Sequence, residues 1–150
     1  MRIFTSVEEL KAAKGEHLGV SDWHTVEQSR IGLFADATGD HQWIHVDPAK
    51  AAAGPFGTTI AHGYLTLSLG PQLAKEVYRV EGSRMGVNYG LNKVRFPAPV
   101  PAGSRVRAGV ELVDVQEIDG GAQLVLRVTF ELDGSAKPAC VAETVSRVYF

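Results

Sequence analysis

The stretch Ile60-Ala-His-Gly-Tyr-Leu-Thr-Leu-Ser-Leu-Gly-Pro-Gln-Leu-Ala-Lys-Glu-Val-Tyr78 decides how this chain folds. Leu65, Leu69, Leu73 and Val77 recur at i, i+4, the spacing of one helical face. Gly63, Thr66, Gly70 and Ala74 form a ridge of small residues beside them. Together they predict a mostly buried helix, opened by Gly63, that a sheet approaches closely. Pro71 lacks a main-chain N–H and is expected to kink or split this helix.

Downstream, the pattern is that of strands. Met85, Val87, Tyr89 and Leu91 alternate with smaller or polar residues, and the apolar parity then slips to Val94 and Phe96. A slip of one residue predicts a bulge near Asn92-Lys93. Pro97 to Gly103 reads as a turn. Val106, Ala108, Val110 and Leu112 alternate next, and Ile118-Asp-Gly-Gly121 is a hairpin signal. Leu124 to Leu132 is the following strand, Asp133-Gly134 a turn, and Cys140 to Phe150 the last strand.

Upstream lie short helices. Ser6-Val-Glu-Glu9 and Thr25-Val-Glu-Gln28 both read as capping boxes, and Gly15 as a stop after the first. Glu16 to Thr25 suits a short strand or extended segment. The second helix places Ile31, Phe34 and Ala35 on one face and breaks at Thr38-Gly39-Asp40. Asp47-Pro48 starts another, with Asp as cap and Pro at the first position, and Gly54-Pro55 ends it. Helices first, then three or four antiparallel strands, make an α+β chain whose curved sheet wraps a central helix. At 150 residues a single domain spanning 1–150 is expected.

The chemistry concentrates in Phe34-Ala-Asp-Ala-Thr-Gly-Asp-His-Gln-Trp-Ile-His45. Trp43 and Ile44, set between polar groups, are expected to bury and hold Asp40 and His45 at a fixed separation. A partly buried carboxylate close to an imidazole is an acid/base pair, because the surroundings can tune each group. A metal site from His41, His45 and His62 is the rival reading. The His41-to-His45 spacing suits one only on a helix, and Pro48 places the helix start later, so no metal is expected.

Those residues also resemble the signature of the MaoC-like, (R)-specific enoyl-CoA hydratase family. It reads aromatic-x-x-small-Thr/Ser-Gly-Asp-x-Asn-Pro-aliphatic-His, then five residues and Ala. Phe34, Thr38, Gly39, Asp40, Ile44, His45 and Ala51 fit, while Gln42-Trp43 stands where the family has Asn-Pro. Ala61-His62-Gly63 before an apolar helix, and Lys93-Val-Arg-Phe-Pro-Ala-Pro-Val-Pro-Ala-Gly103, resemble the family's central helix and its strand and turn.

The resemblance implies a hot-dog fold, usually paired as a homodimer, and hydration of trans-2-enoyl-CoA to (R)-3-hydroxyacyl-CoA, or the reverse. It implies Asp40 and His45 as the catalytic pair on one water, and the Gly63 N–H as the contact for the thioester oxygen. Gln42 is expected to hold Asp40 or join the water network, and His62 to lie at the helix start beside the substrate. Coenzyme A belongs to the substrate, so no separate cofactor is expected. Lys93, Arg95, Arg105 and Arg107 are candidates for its phosphates. A hot-dog thioesterase and a non-catalytic acyl-thioester binding protein remain alternatives.

Composition fits this. Net charge is −2, without charge blocks, which gives no sign of nucleic-acid binding. Cys140 is the lone cysteine, so no internal disulfide forms. Acidic residues in the first ten positions do not suit a signal peptide, and no apolar run reaches the roughly 20 residues of a membrane span. A cytoplasmic protein is the expectation.

Overall fold

A computed structural model describes residues 1–150. Its elements are β1 (Arg2–Phe4), α1 (Val7–Ala12), β2 (His17–Val20), β3 (His24–Thr25), α2 (Gln28–Thr38), α3 (Trp43–Val46) and α4 (Pro48–Ala52). Then follow α5 (Gly63–Ser68), α6 (Gly70–Val77), β4 (Tyr78–Val80), β5 (Met85–Arg95), β6 (Arg105–Ile118), β7 (Gly121–Leu132) and β8 (Cys140–Tyr149). The main sheet runs β2-β6-β7-β8-β5, with β3 also pairing with β6. All its pairings are antiparallel. Four long strands follow the helices, within the three or four expected, and the segment before α2, read as a short strand or extended segment, adds two short ones to the β6 edge.

The core forms where the sheet's inner face meets α5 and α6. Val106, Ala108, Val110 and Leu112 of β6 are fully buried, as are Leu124 and Phe130 of β7. Leu65, Leu69, Leu73 and Val77 meet them from the helix side and are also buried. Each such side chain contributes about 1.5–3 kcal/mol by leaving water. The small-residue ridge is where sheet aromatics come in. A Cβ added at Gly70 would lie 3.3 Å from the Phe130 ring, and one at Gly63 3.1 Å from the Phe96 ring. Pro71 does divide the helix, but only at Leu69. Leu69 N–H still donates to the Leu65 carbonyl, and Leu73 N–H to that of Leu69.

Local signals set most boundaries. Ser6 Oγ accepts the Glu9 N–H, capping α1. Asp119-Gly120 forms the two-residue β6–β7 loop, with Gly120 at φ +70° as such a turn requires. Asp47 accepts the Lys50 N–H and caps α4, with Pro48 just inside.

Two expectations need correction, and one pairing was not foreseen. Thr25 does not cap α2, because its backbone is paired with Arg105 in β3; the helix starts at Gln28, after Glu27, with no side-chain cap. Strand β5 carries two bulges, one at Leu91–Lys93 as expected and another at Asn88–Gly90. The earlier bulge turns Leu91 to the sheet face opposite Val87. Finally, β1 pairs in parallel with β4, joining Arg2–Phe4 to Tyr78–Val80, a contact between distant segments that nothing local announces. No helix is long and apolar enough to cross a membrane.

Candidate active site

Helix α2 buries Ile31 and Ala35 and ends at Gly39, whose left-handed φ of +78° lets its N–H reach back to the Ala35 carbonyl. The chain then turns through Asp40 into the single helical turn α3, which carries His45 inward. Beside it runs the segment Thr59–His62. Ile60 N–H donates to the Ile44 carbonyl at 3.0 Å, and Ala61 N–H to that of Val100 at 2.8 Å. Two separate stretches are thus laid side by side, and His62 meets His45.

His45 is 7% exposed. Its Nδ1 lies 2.7 Å from the Ile60 carbonyl oxygen. A carbonyl only accepts, so Nδ1 carries the proton and, in the neutral ring, Nε2 keeps its lone pair. His62 is 2% exposed and donates from Nε2 to the Asp40 main-chain carbonyl at 2.9 Å. The two imidazoles stack with centroids 3.8 Å apart, and Phe34 packs on the other ring neighbour, His62, at 4.9 Å. One ligating side-chain atom of each of Asp40, His45 and His62 lies within 4.8 Å of the others.

That trio does not suit a tetrahedral metal. Imidazole lone pairs lie in the ring plane, so two stacked rings point theirs side by side rather than at one centre. One nitrogen of each ring is also committed to a carbonyl.

Asp40 departs from expectation. Its side chain is 55% exposed, because Gly39 swings the chain outward and only the Asp40 carbonyl is covered, by His62. Support reaches its Oδ1 from the Gln42 main-chain N–H at 3.3 Å, while the exposed Gln42 amide makes no hydrogen bond. Trp43 packs on Gly54, with the Lys50 ammonium 4.9 Å above its ring, so it fixes α3 against α4. His41 turns away to Asp36, whose hydrogen bond holds the imidazole above its ordinary pKa.

At Gly63 the helix begins. Neither its N–H nor that of Tyr64 has an acceptor within the chain, as expected of a first helical turn. Arg105 and Arg107 are tied to Asp133 and Glu131, with Trp23 under their guanidinium groups. Lys93 and Arg95 hold no ion pair.

Gln28, read from sequence only as part of a capping box, belongs to the site's framework instead. Its Nε2 donates to the His45 carbonyl at 2.7 Å and its Oε1 accepts from the buried Thr59 hydroxyl. One amide therefore locks α2, α3 and the Thr59–His62 segment together.

A model of the family described as MaoC-like domain matches residues 9–132. The chain belongs to this family. Among relatives of this MaoC-like chain, 3-hydroxyacyl-thioester dehydratase Z of Mycobacterium tuberculosis strain H37Rv is 62% identical over 148 residues, covering 98% of both chains. The solved (R)-hydratase of A. caviae superposes with a TM-score of 0.68 at 26% identity, over 87% of this chain and 95% of that one. A monoamine oxidase regulatory protein from Archaeoglobus gives a TM-score of 0.80 at 24% identity, over 99% and 96%. The MaoC-like chain thus has the hot-dog architecture expected from its sequence.

Proposed function

We propose that this protein is a hydro-lyase that interconverts a 3-hydroxyacyl thioester and its trans-2-enoyl thioester. The observation that carries this reading is the His45 tautomer. With Nδ1–H held on the Ile60 carbonyl, the Nε2 of the buried His45 ring is a base near the half-exposed Asp40 carboxylate. The two side chains make no direct hydrogen bond, yet their ligating atoms lie within 4.8 Å, close enough for one water to be held by both groups. In hydration, the water oxygen bonds to the β-carbon as one of its protons passes to the Asp40/His45 pair. The pair returns a proton to the α-carbon, and the thioester oxygen carries the negative charge between these events. The free Gly63 N–H is the donor for that oxygen. Dehydration runs the same steps in reverse, and the names of its relatives favour this family of reactions.

A homodimer is part of the proposal. Strand β5 is a sheet edge whose Met85, Val87, Tyr89 and Leu91 are 39–58% exposed, a long apolar edge of the kind a second copy covers. Coenzyme A enters as part of the substrate, with Lys93 and Arg95 next to Phe96 as the unpaired cations for its phosphates.

Incubation with crotonyl-CoA, followed by chiral analysis of the product and a parallel thiol-release assay, tests the reading. Formation of (R)-3-hydroxybutyryl-CoA without free thiol is expected. Thiol release without hydration replaces it with a thioesterase. No conversion of any enoyl thioester, with binding retained, replaces it with a binding protein.

A further inference from the structure

Beneath α5 and α6 lies a cavity of about 840 Å³, bounded by β5, β7 and β8. It begins at Leu67, four residues past Gly63, and ends around Tyr78. Its near part is apolar: Leu67, Ala74, Leu126, Val128 and Phe130. The size is that of a small-molecule site.

The far end is different. Strand β8 sends Cys140, Ala142, Thr144, Ser146 and Val148 inward, as its register with the inward residues of β7 requires. The β7 partners of these five are Phe130, Val128, Leu126, Leu124 and Ala122, all buried and apolar. A strand facing such a row is expected to be apolar throughout, yet it carries hydroxyls at Thr144 and Ser146. The β5 residue opposite Ser146 is Asn88, another polar side chain facing the cavity. The Ser146 hydroxyl is buried and has no hydrogen-bond partner. The neighbouring Tyr78 phenol is pushed up to about 12 by burial, partly offset by the nearby Ser146 hydroxyl, but the pair falls short of hydrogen-bond geometry. Buried polar groups are rarely left unpaired, because desolvation without a partner is costly.

We propose that this polar end selects an acyl thioester whose tail carries a hydroxyl or carbonyl oxygen remote from the thioester, received by Ser146 with Tyr78 and Asn88. The inference rests on the acyl-thioester chemistry proposed for Asp40 and His45. The two successive helices α5 and α6 separate Gly63 from Tyr78 by at most about 22 Å at the helical rise, so the favoured tail is long.

The test compares paired enoyl-CoA substrates of equal length, methyl-ended or ω-hydroxylated, from short to long. Crotonyl-CoA, too short to reach Ser146, reads the reaction by itself in the wild-type enzyme. Calorimetric binding of the matching saturated acyl-CoAs reads the polar end without turnover, so failure of the chemistry and failure of the selection are told apart. At one long tail length, wild type should favour the hydroxylated member about tenfold in kcat/KM and in affinity. Ser146→Ala should remove the preference and Ser146→Val reverse it, with thermal midpoints certifying that each is folded. Tyr78→Phe provides a further variant should either fail to fold, and should weaken the preference. Equal or better use of methyl-ended tails by wild type at every length overturns the proposal. So does a preference that survives Ser146→Ala.

Discussion

His45 and His62 stack with ring centroids 3.8 Å apart and planes 23° from parallel. The pairing joins two stretches far apart in the chain, because His62 also holds the main-chain carbonyl of Asp40. One ring thus sets the position of both members of the proposed acid/base pair, without itself offering a free lone pair from Nε2.

His62→Ala should therefore act on kcat rather than on KM. Loss of the stack and of the Asp40 tether should lower kcat about a hundredfold, the cost of displacing reacting groups by an ångström or so, with KM for crotonyl-CoA changed less than about threefold. His62→Phe keeps a flat ring but not the donor, and should recover only part of the loss. Steady-state kinetics on the three proteins checks this. A matching rise in KM would instead make His62 a substrate-binding residue.

Gln28 gives a stability prediction. Gln28→Ala strands the buried Thr59 hydroxyl and frees the His45 carbonyl, which should cost about 1–3 kcal/mol. Thr59→Val removes the hydroxyl as well, so the double variant should cost less than the two single changes added together. A double-mutant cycle by urea unfolding measures the coupling; simple additivity would mean that the two side chains do not work as a unit.

Cys140 should be silent in the folded protein. It is fully buried, and desolvation pushes its thiol up to about 12. A raised thiol pKa leaves almost no thiolate at neutral pH, and thiolate is the reactive form. Ellman's reagent should label it only after unfolding, which also keeps the thiol-release assay free of background. Prompt labelling of native protein would show that β8 opens.

At the β5 edge, sedimentation should find a dimer. Charged substitutions that face solvent in one copy, Val87→Glu with Tyr89→Asp, should shift it toward monomer at micromolar concentration. A monomeric wild type would remove the homodimer from the proposal.

What the sequence made legible was local. Leu65 to Val77 announced the central helix, Gly39 its neighbour's end, Asp47-Pro48 a helix start, and Asp119-Gly120 a hairpin. Each signal lies within a few residues of the feature it sets. The losses have equally physical causes. The bulge at Asn88–Gly90 left no trace, because Gly86 and Gly90 have no side chains with which to mark the face. The Thr25 capping pattern lost to β pairing with Arg105, a tertiary contact overriding a local preference. In the proposed site, Asp40, His45 and Gly63 were readable as candidates for acid/base and oxyanion roles. That His62 would stack on His45, or that Gln28 would hold its backbone, depends on which distant segments meet, and no spacing encodes that.

Hydration of crotonyl-CoA by wild type, Asp40→Asn and His45→Gln, followed by loss of enoyl absorbance, tests the acid/base pair most directly. Wild type should turn over, and each variant should fall by about 10²–10⁴-fold in kcat while melting within a few degrees of wild type. The double variant should be scarcely worse than the poorer single one, since the two residues act on one water. A folded Asp40→Asn or His45→Gln protein with activity within tenfold of wild type would contradict the assignment of that residue. Failure of wild type on enoyl thioesters of every length would contradict the hydro-lyase reading itself.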